Sequence, residues 1–518
     1  MTPVPGFEGR RVAVFGLGRS GITAARALKA GGAEPILWDD GVSGRMQAEA
    51  EGFEVEDLTT ADWSDFAALV LSPGAPLTHP KPHWTVDRAK AANVPVIGDI
   101  ELFARAIAAT PASLRPKVIA ITGTNGKSTT TALIGWVLKQ AGMKIAVGGN
   151  IGIGVLALPP PAEVQAYVIE VSSYQLDLTT SFAPDVAILT NISPDHLDRH
   201  GGMEGYVSAK RRLFQHMSGA CDSPADDKKL AVIGIDEEPG LEILRELQSF
   251  GWVALSVSTR PSPLAGEGGS RRLTDEGSHR PVERIDQAPN FGGQRDPSSV
   301  SLREPTSLAR GEGIVAHPGC LVLSGGQIID VSAACSLPGR HNAQNAAFAY
   351  AAARAIGVSH EAAVAGLMTF PGLAHRMETV GQLGAVRFVN DSKATNADAA
   401  RQALMSYPTS FWIAGGRAKD GGIAELADLF PRVAKAYLIG EAAEDFAATL
   451  GDIPHVIARD MATAVALASE DAAKAGGDPV VLLSPACASF DQFPDFEARG
   501  EAFRAAVLNL GATPFVQG

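Results

Sequence analysis

The chain has 518 residues, too many for one ordinary core, and domains of ~100–200 residues make three units the natural division. Hydrophobic residues make up 46% of it, which supplies packed cores and excludes a wholly disordered chain. A formal charge of −13 argues against nucleic acid or an anionic membrane as partner, because both select basic surface, although a local basic pocket for a phosphorylated ligand stays open.

Elements follow from apolar periodicity in chain order. Arg11 to Phe15 reads as a strand, Ser20 to Ala30 as a helix, Pro35 to Trp38 and Ala67 to Leu71 as further strands. This alternation predicts βαβ units and a parallel sheet. A Pro-bearing link, Pro111 to Pro116, precedes the strand Val118 to Thr122, where a second α/β unit begins. That unit runs through strands Tyr167 to Val171 and Val186 to Thr190, apolar enough to be buried on both faces. A third begins near Arg340 with an Ala-rich helix, Ala343 to Ala355. Its strands are Val386 to Val389, Phe411 to Ala414, Ala436 to Ile439 and Val480 to Leu483. The expected domains are therefore 1–112, 113–337 and 338–518. Between about 258 and 313 the chain is rich in Gly, Pro, Ser, Arg and Glu with little apolar periodicity, the composition of a disordered insertion.

Cysteines 221, 320, 335 and 487 show neither paired spacing nor a C-x-x-C, which favours a reducing, cytoplasmic setting over a disulfide framework. The N-terminal apolar run is strand-length and shorter than a signal-peptide core, and no uncharged stretch is long enough to span a bilayer.

Gly16-Leu17-Gly18-Arg19-Ser20-Gly21 fits a dinucleotide-fold fingerprint between a strand and a helix, with Asp39 and Asp40 at the end of the next strand. By itself it suits a nicotinamide enzyme, a nucleotide-sugar binder or a structural glycine turn. Sharper is Gly123-Thr124-Asn125-Gly126-Lys127-Ser128-Thr129, also between a strand and a helix. Backbone N–H groups there cradle phosphates, Lys127 neutralises charge, and a hydroxyl of Ser128 or Thr129 can hold Mg²⁺. The strict spacing is broken by Ile121 where a first glycine would stand. Glu170 and His196 each follow a strand downstream of this loop, where open α/β sheets gather their ligands. Asn390-Asp391-Ser392-Lys393-Ala394-Thr395-Asn396 puts acid, hydroxyl, base and amide in one loop. Cys487 has no nearby His to make it a nucleophile and reads as packing.

Together these segments resemble the Mur ligase family, and within it the branch that adds D-glutamate. The resemblance is carried by Gly16–Gly21, Leu71–Gly74, Gly123–Thr129, Gly148–Gly152, Glu170–Leu176, Asp195–Asp198 and Ala209–Phe214. It continues through Pro338–Asn342, His375–Glu378, Asn390–Asn396 and Ser484–Phe493, leaving out only the polar insertion. It implies an α/β chain of three domains: a Rossmann-like UDP-binding unit, a central P-loop-type ATPase with a mostly parallel sheet, and a C-terminal Rossmann-like unit.

The implied reaction is ATP-dependent joining of D-glutamate to UDP-N-acetylmuramoyl-L-alanine in peptidoglycan precursor synthesis, and hence in cell-wall formation, shape and division. UDP-sugar contacts carry over to Gly18, Arg19, Ser20, Asp39, Asp40, Ser72 and Gly74, and the muramoyl-alanine channel to Asn150, Ser172, Gln175 and His196. ATP would meet Gly123 to Thr129 with Asn345, Arg376 and Asp391, and D-glutamate would meet Lys393, Thr395, Lys419, Ser489 and Phe496. The catalytic set is Lys127, Glu170, His196 and Lys210. Two Mg²⁺ ions are implied, one near Ser128 and Glu170, the other near His196 and a carbamylated Lys210. A monomer is the family expectation. Two alternatives stand beside this reading: another Mur or folylpolyglutamate-type ligase, sharing the central loop, and a nicotinamide oxidoreductase resting on Gly16–Gly21 alone.

Overall fold

A computed structural model describes residues 1–150, 152–217, 229–260, 313–334, 336–337, 339–418 and 421–514. Among the described residues the strands form three sheets. The first contains β1 Arg11–Phe15, β2 Glu34–Trp38, β3 Glu54–Val55, β4 Phe66–Leu71 and β5 Val96–Ile97, all parallel, in the order β3-β2-β1-β4-β5. The order reverses at β1, so the glycine fingerprint after β1 opens at a switch point, beside the turn that follows β4.

The second sheet holds β6 Lys117–Thr122, β7 Ile145–Gly149, β8 Ala166–Glu170, β9 Val186–Leu189, β10 Leu230–Gly234, β11 Ala254–Ser258, β12 Gly313–His317, β13 Cys320–Leu323 and β14 Ile328–Asp330. Its order is β14-β13-β12-β11-β10-β9-β6-β8-β7, antiparallel only where β12, β13 and β14 meet. Strand β6 alternates between two cores: Val118 and Ala120 pack on one face, Ile119 and Ile121 on the other. Both cores exclude water, which is why the strand reads as a continuous apolar run. The flanks of β6 are β8 and β9, with Ile121 opposite Glu170 and Thr122 opposite Leu189. This register delivers Glu170 and the segment after Leu189 to the mouth of the loop at Gly123.

The third sheet holds β15 Glu378–Leu383, β16 Val386–Asn390, β17 Ser410–Gly415, β18 Val433–Ile439, β19 His455–Arg459, β20 Val480–Leu483 and β21 Thr513–Pro514, in the order β19-β18-β17-β20-β16-β15-β21. The expected strands and helices are present, extended by one to four residues at several ends, while the strands expected to close at Val171 and Thr190 each stop one residue earlier, at Glu170 and Leu189.

One boundary moves. The helix Gly339–Ala355, expected to open the third unit at 338, packs its buried alanines and Phe348 into the core beneath β6, β10 and β11. The helix His360–Met368 joins the same core, so the middle unit's packing continues past 338 and the third sheet starts only at Glu378. An Ala-rich helix has a small side-chain surface on every face and packs closely on whatever sheet lies nearest. Its sequence therefore carries no address. Of the insertion expected over 258–313, residues 261–312 lie outside the described residues; Ser258 closes β11 and Gly313 opens β12, its parallel neighbour.

Candidate active site

At the first sheet, Gly16 takes φ +88°, and a Cβ there would collide with Ser72. Only glycine lets the fingerprint lie this close to the turn after β4. Gly18 caps the helix Arg19–Ala30 without a side-chain hydrogen bond, leaving the first-turn N–H groups at Arg19 and Ser20 to an anion. Both oxygens of Asp39 already accept backbone N–H groups, from Leu17 (2.6 Å) and Gly41 (2.7 Å). Asp39 therefore clamps the loop, which weakens its expected role as a ribose partner, whether the nucleotide is a nicotinamide cofactor or a UDP-sugar. Asp40 lies 3.3 Å from His83 Nε2.

The phosphate loop is shaped by two glycines, Gly123 at φ +145° and Gly126 at φ +81°. Its backbone is pinned from the β9 side. Thr124 N–H donates to Asn191 O (2.9 Å) and Asn125 N–H to Asn191 Oδ1 (2.8 Å), while Thr190 Oγ1 donates to Asn125 O (2.7 Å). Lys127 Nζ folds back onto Gly123 O (2.9 Å) and Thr124 O (2.8 Å), a preorganised cation at the head of the helix Lys127–Gln140. Burial lowers its pKa while Glu170 opposes that shift. Thr129 and Gly126 border the cleft described below.

Behind the loop lies the expected catalytic set. Glu170 is 2% exposed; its Oε1 accepts Asn150 Nδ2 (2.8 Å), and its Oε2 has no hydrogen-bond partner among the described residues. A buried carboxylate oxygen left open is costly unless something cationic meets it. Lys210, 1% exposed, donates to Gly123 O (2.8 Å). Burial, and then the neighbouring Lys127, hold its pKa well below the usual lysine value. His196 has φ +53°, is largely exposed, and lies 3.3 Å from Asp195 and 5.1 Å, ring to ring, from Tyr174. Ser172 and Gln175 form a capping box on the helix Ser173–Asp177, and Gln175 Nε2 also donates to buried Asp99 (3.0 Å). Those two expected substrate contacts are thus engaged within the protein.

The third unit reaches across to this loop. Arg376 Nη2 donates to Ser128 Oγ at 2.7 Å, and Asp398 accepts from Asn125 Nδ2. Arg376 is held between two left-handed residues, His375 (φ +61°) and Met377 (φ +48°). Such residues cost on the order of 1–2 kcal/mol each. Carboxylates hold them: Glu378 accepts His375 N–H (2.9 Å) and Asp391 accepts Met377 N–H (3.2 Å). Asn345, from the middle unit's Ala-rich helix, accepts from Thr130 Oγ1 (3.1 Å) and stands where a Cβ on Gly126 would fall.

A cleft of about 390 Å³ between the middle and third units brings together Asn125, Gly126, Thr129, Asn345, Arg376, Asp391 and Lys393, while Lys127, Ser128, Glu170, His196 and Lys210 lie outside its lining. Burial raises the Asp391 carboxyl to about 7. Burial and the Arg376 charge lower Lys393 to about 8, and its ammonium sits 3.8 Å over the Phe496 ring. Thr395 closes a tight turn onto Lys393 O (2.8 Å), and buried Ser489 carries the backbone carbonyl that Gln492 and Phe493 bond. The first-sheet residues lie outside this cleft, and Lys419 lies outside the described residues.

Sequence reasoning missed part of the wall. Asp236 and Glu237 enter it from the end of β10, with Thr259, Arg260 and His341. Glu237 is raised to about 7 by burial and by Asp236; burial lowers His341 to about 4. His341 lies within the segment Pro338–Asn342 that carries the family resemblance, and Asp236-Glu237 carry the same strand-end signal as Glu170. Arg499 gave no signal: it reads as a helix-surface charge. Yet it is 1% exposed and donates to Ser392 Oγ (3.0 Å), Ser392 O (2.8 Å) and Cys487 O (3.0 Å), tying three segments of the third unit together.

Divalent-cation chemistry fits this site on one side. Mg²⁺ takes one or two carboxylates with hydroxyl, phosphate and water oxygens, and Glu170 Oε2 with Ser128 Oγ offers that start. Among the described residues no group of three or more His, Cys, Asp or Glu could hold a metal ion alone. No helix among them is long and apolar enough to cross a membrane.

Comparison with known proteins agrees with this arrangement. The family described as Mur ligase middle domain matches residues 121–264, and that described as Mur ligase, glutamate ligase domain matches 375–487. UDP-N-acetylmuramoylalanine--D-glutamate ligase of Caulobacter sp. (strain K31) is 57% identical over 516 residues, covering 99% of this chain and 98% of that protein. The protein of that name from Phenylobacterium zucineum (strain HLK1) is 53% identical over 515 residues, covering 98% of each. Solved structures share the fold at low identity. UDP-N-acetylmuramate-alanine ligase MurC from Thermotoga maritima gives a TM-score of 0.52 at 15% identity, over 97% of this chain and 99% of that one. MurF from Acinetobacter baumannii gives 0.53 at 18%, over 98% and 93%. With matches of this identity running almost end to end, the chain belongs to the Mur ligase family.

Proposed function

We propose that this chain joins D-glutamate to the alanyl carboxylate of UDP-N-acetylmuramoyl-L-alanine while ATP is converted to ADP and phosphate. The observation that carries the reading is the meeting of Lys127, buried Glu170 and Arg376 around one phosphate loop, with Arg376 arriving from a separate sheet. The relatives' printed name supplies the amino acid and the acceptor.

A carboxylate resists an amine, so it needs a leaving group. The alanyl carboxylate oxygen attacks the γ-phosphorus of ATP, the bond to the β-bridging oxygen breaks, and an acyl phosphate forms with ADP leaving. The D-glutamate amine then attacks the acyl carbon, a tetrahedral intermediate collapses, and phosphate leaves with the amide formed. Lys127 and Arg376 spread the charge of the transferring group, and the loop N–H groups orient it. Mg²⁺, when bound at Glu170 and Ser128, adds further charge neutralisation; two ions are proposed, the second requiring Lys210 as a carbamate. The uncharged amine is the form that adds to CO₂, and burial and then Lys127 shift Lys210 towards it, which supports that modification. D-Glutamate is assigned to Lys393, Thr395, Ser489 and Phe496, the uridine nucleotide to Gly18–Ser20, Ser72 and Gly74. The enzyme is proposed to act as a cytoplasmic monomer.

The test is phosphate release and amide formation with ATP, Mg²⁺ and UDP-N-acetylmuramoyl-L-alanine, comparing D-glutamate with L-glutamate, L-alanine and a diamino acid. Product with D-glutamate alone supports the proposal; product only with another amino acid overturns the specificity while leaving the ATP chemistry.

A further inference from the structure

Three residues beyond His196, the chain makes a contact that the reaction scheme leaves unused. Arg199 sits in the short helix Leu197–His200 of the middle unit. Its guanidinium reaches back to the first unit, donating from Nη1 to Gly74 O (2.9 Å) and from Nη2 to Pro73 O (3.3 Å). The same group lies 4.6 Å over the ring of Tyr174, and that ring stands 5.1 Å from His196 and stacks on His200 at 5.4 Å. His200 is itself fixed, by Ser173 Oγ at 3.0 Å and Asp177 at 3.2 Å. A second contact adjoins the first: Gly201, at φ +71°, lies so close to the His79 ring that a Cβ would collide with it.

We propose that Arg199 is a positioning residue that fixes the turn Ser72–Gly74 against the loop carrying His196, so that one nucleotide-sugar spans both at a set separation. The geometry supports it in two ways. A planar guanidinium with two donors on adjacent carbonyls resists both sliding and rotation, which a lysine point charge would not. Its other face is pressed on the Tyr174 ring. That ring stacks on His200, His200 meets the Tyr206 ring at 5.4 Å, and the Tyr206 hydroxyl lies 3.0 Å from Thr124 Oγ1, so the constraint is passed to the loop Gly123–Thr129. This rests on the proposed nucleotide-sugar substrate; the free-enzyme measurement below does not.

Arg199→Ala and the milder Arg199→Lys would be compared with the unaltered chain, with melting curves confirming that each is folded. In the free enzyme, amide exchange across residues 72–79 should accelerate at least about tenfold in the alanine variant while the β6 amides stay protected. In turnover, KM for UDP-N-acetylmuramoyl-L-alanine should rise about tenfold with KM for ATP and kcat within about twofold, the lysine variant falling between. With an N-acetylmuramoyl-L-alanine lacking the uridine diphosphate, the variants and the unaltered chain should be equal. Unchanged exchange at 72–79 overturns the proposal, whether or not the substrate reading holds. Equal impairment on the full and truncated substrates also overturns it, since Arg199 would then serve the middle unit alone. If the unaltered chain does not use the nucleotide-sugar, the functional proposal fails and the exchange result alone decides the role of Arg199.

Discussion

Arg376→Ala removes a half-buried cation that joins two units at the loop Gly123–Thr129, and its effect can be worked out from the contacts. Its hydrogen bond to Ser128 Oγ is 2.7 Å long and charge-assisted, a class worth about 1.5–3 kcal/mol net in a folded protein. On the proposed assignment the same guanidinium faces the negative charge that grows during phosphoryl transfer. Loss of a preorganised donor there costs roughly 10²–10³ in kcat, or ~3–4 kcal/mol. Arg376→Lys keeps the charge but not the planar fork, and a loss of roughly tenfold to a hundredfold is expected. Steady-state phosphate release at saturating ATP measures kcat, and a melting curve on each variant separates chemistry from unfolding. The left-handed residues on both sides of Arg376 are held by Glu378 and Asp391 through backbone N–H groups, so the side-chain change leaves that scaffold intact. If kcat for the alanine variant falls less than about tenfold while KM for ATP rises, Arg376 binds ATP in the ground state only, and the charge argument fails.

Lys127→Ala should reduce ATP-dependent phosphate release by at least about 10³-fold, read in the same assay, because Lys127 folds onto both Gly123 O and Thr124 O whereas Lys210, behind the loop, reaches Gly123 O alone. Depleting CO₂ and bicarbonate should lower the activity of the unaltered chain reversibly and leave Lys210→Ala at its already low level. Gly21→Ala puts a Cβ onto Gly16 O, and should cost roughly 1–3 kcal/mol of stability by denaturant melting. Asp391 has a folded pKa raised to about 7 against an unfolded value near 4, so its contribution is greatest below about pH 4 and is lost as pH rises towards 7. Asp391→Asn should therefore gain on the unaltered chain across that window, by at most ~4 kcal/mol, in unfolding measured without nucleotide.

The fold class and the phosphate loop were legible because both are local. Val118 to Ile121 is apolar without interruption because both faces of β6 are covered, and Gly123 and Gly126 mark backbone that only glycine adopts easily. The strand-end rule likewise singled out Glu170 before its neighbours were known. By contrast, the assignment of the helix Gly339–Ala355 to a unit was not readable, since alanines suit either core and only packing chose the middle sheet.

The sequence alone determined the alternating α/β order, the positions of the glycine turns and the residue types offered at each strand end. Tertiary structure decided which of those ends face one another. The contact of Arg376 with Ser128 joins residues 248 apart in the chain, and that of Asn125 with Asp398 joins residues 273 apart. It also decided how Glu237, Asp391, Lys393 and Lys210 titrate, because desolvation depends on what covers a group, and no local pattern records that. Arg499 shows the same limit: its spacing on a helix is that of a surface charge, and only the folding of two loops, at Ser392 and Cys487, around it makes it a buried strut.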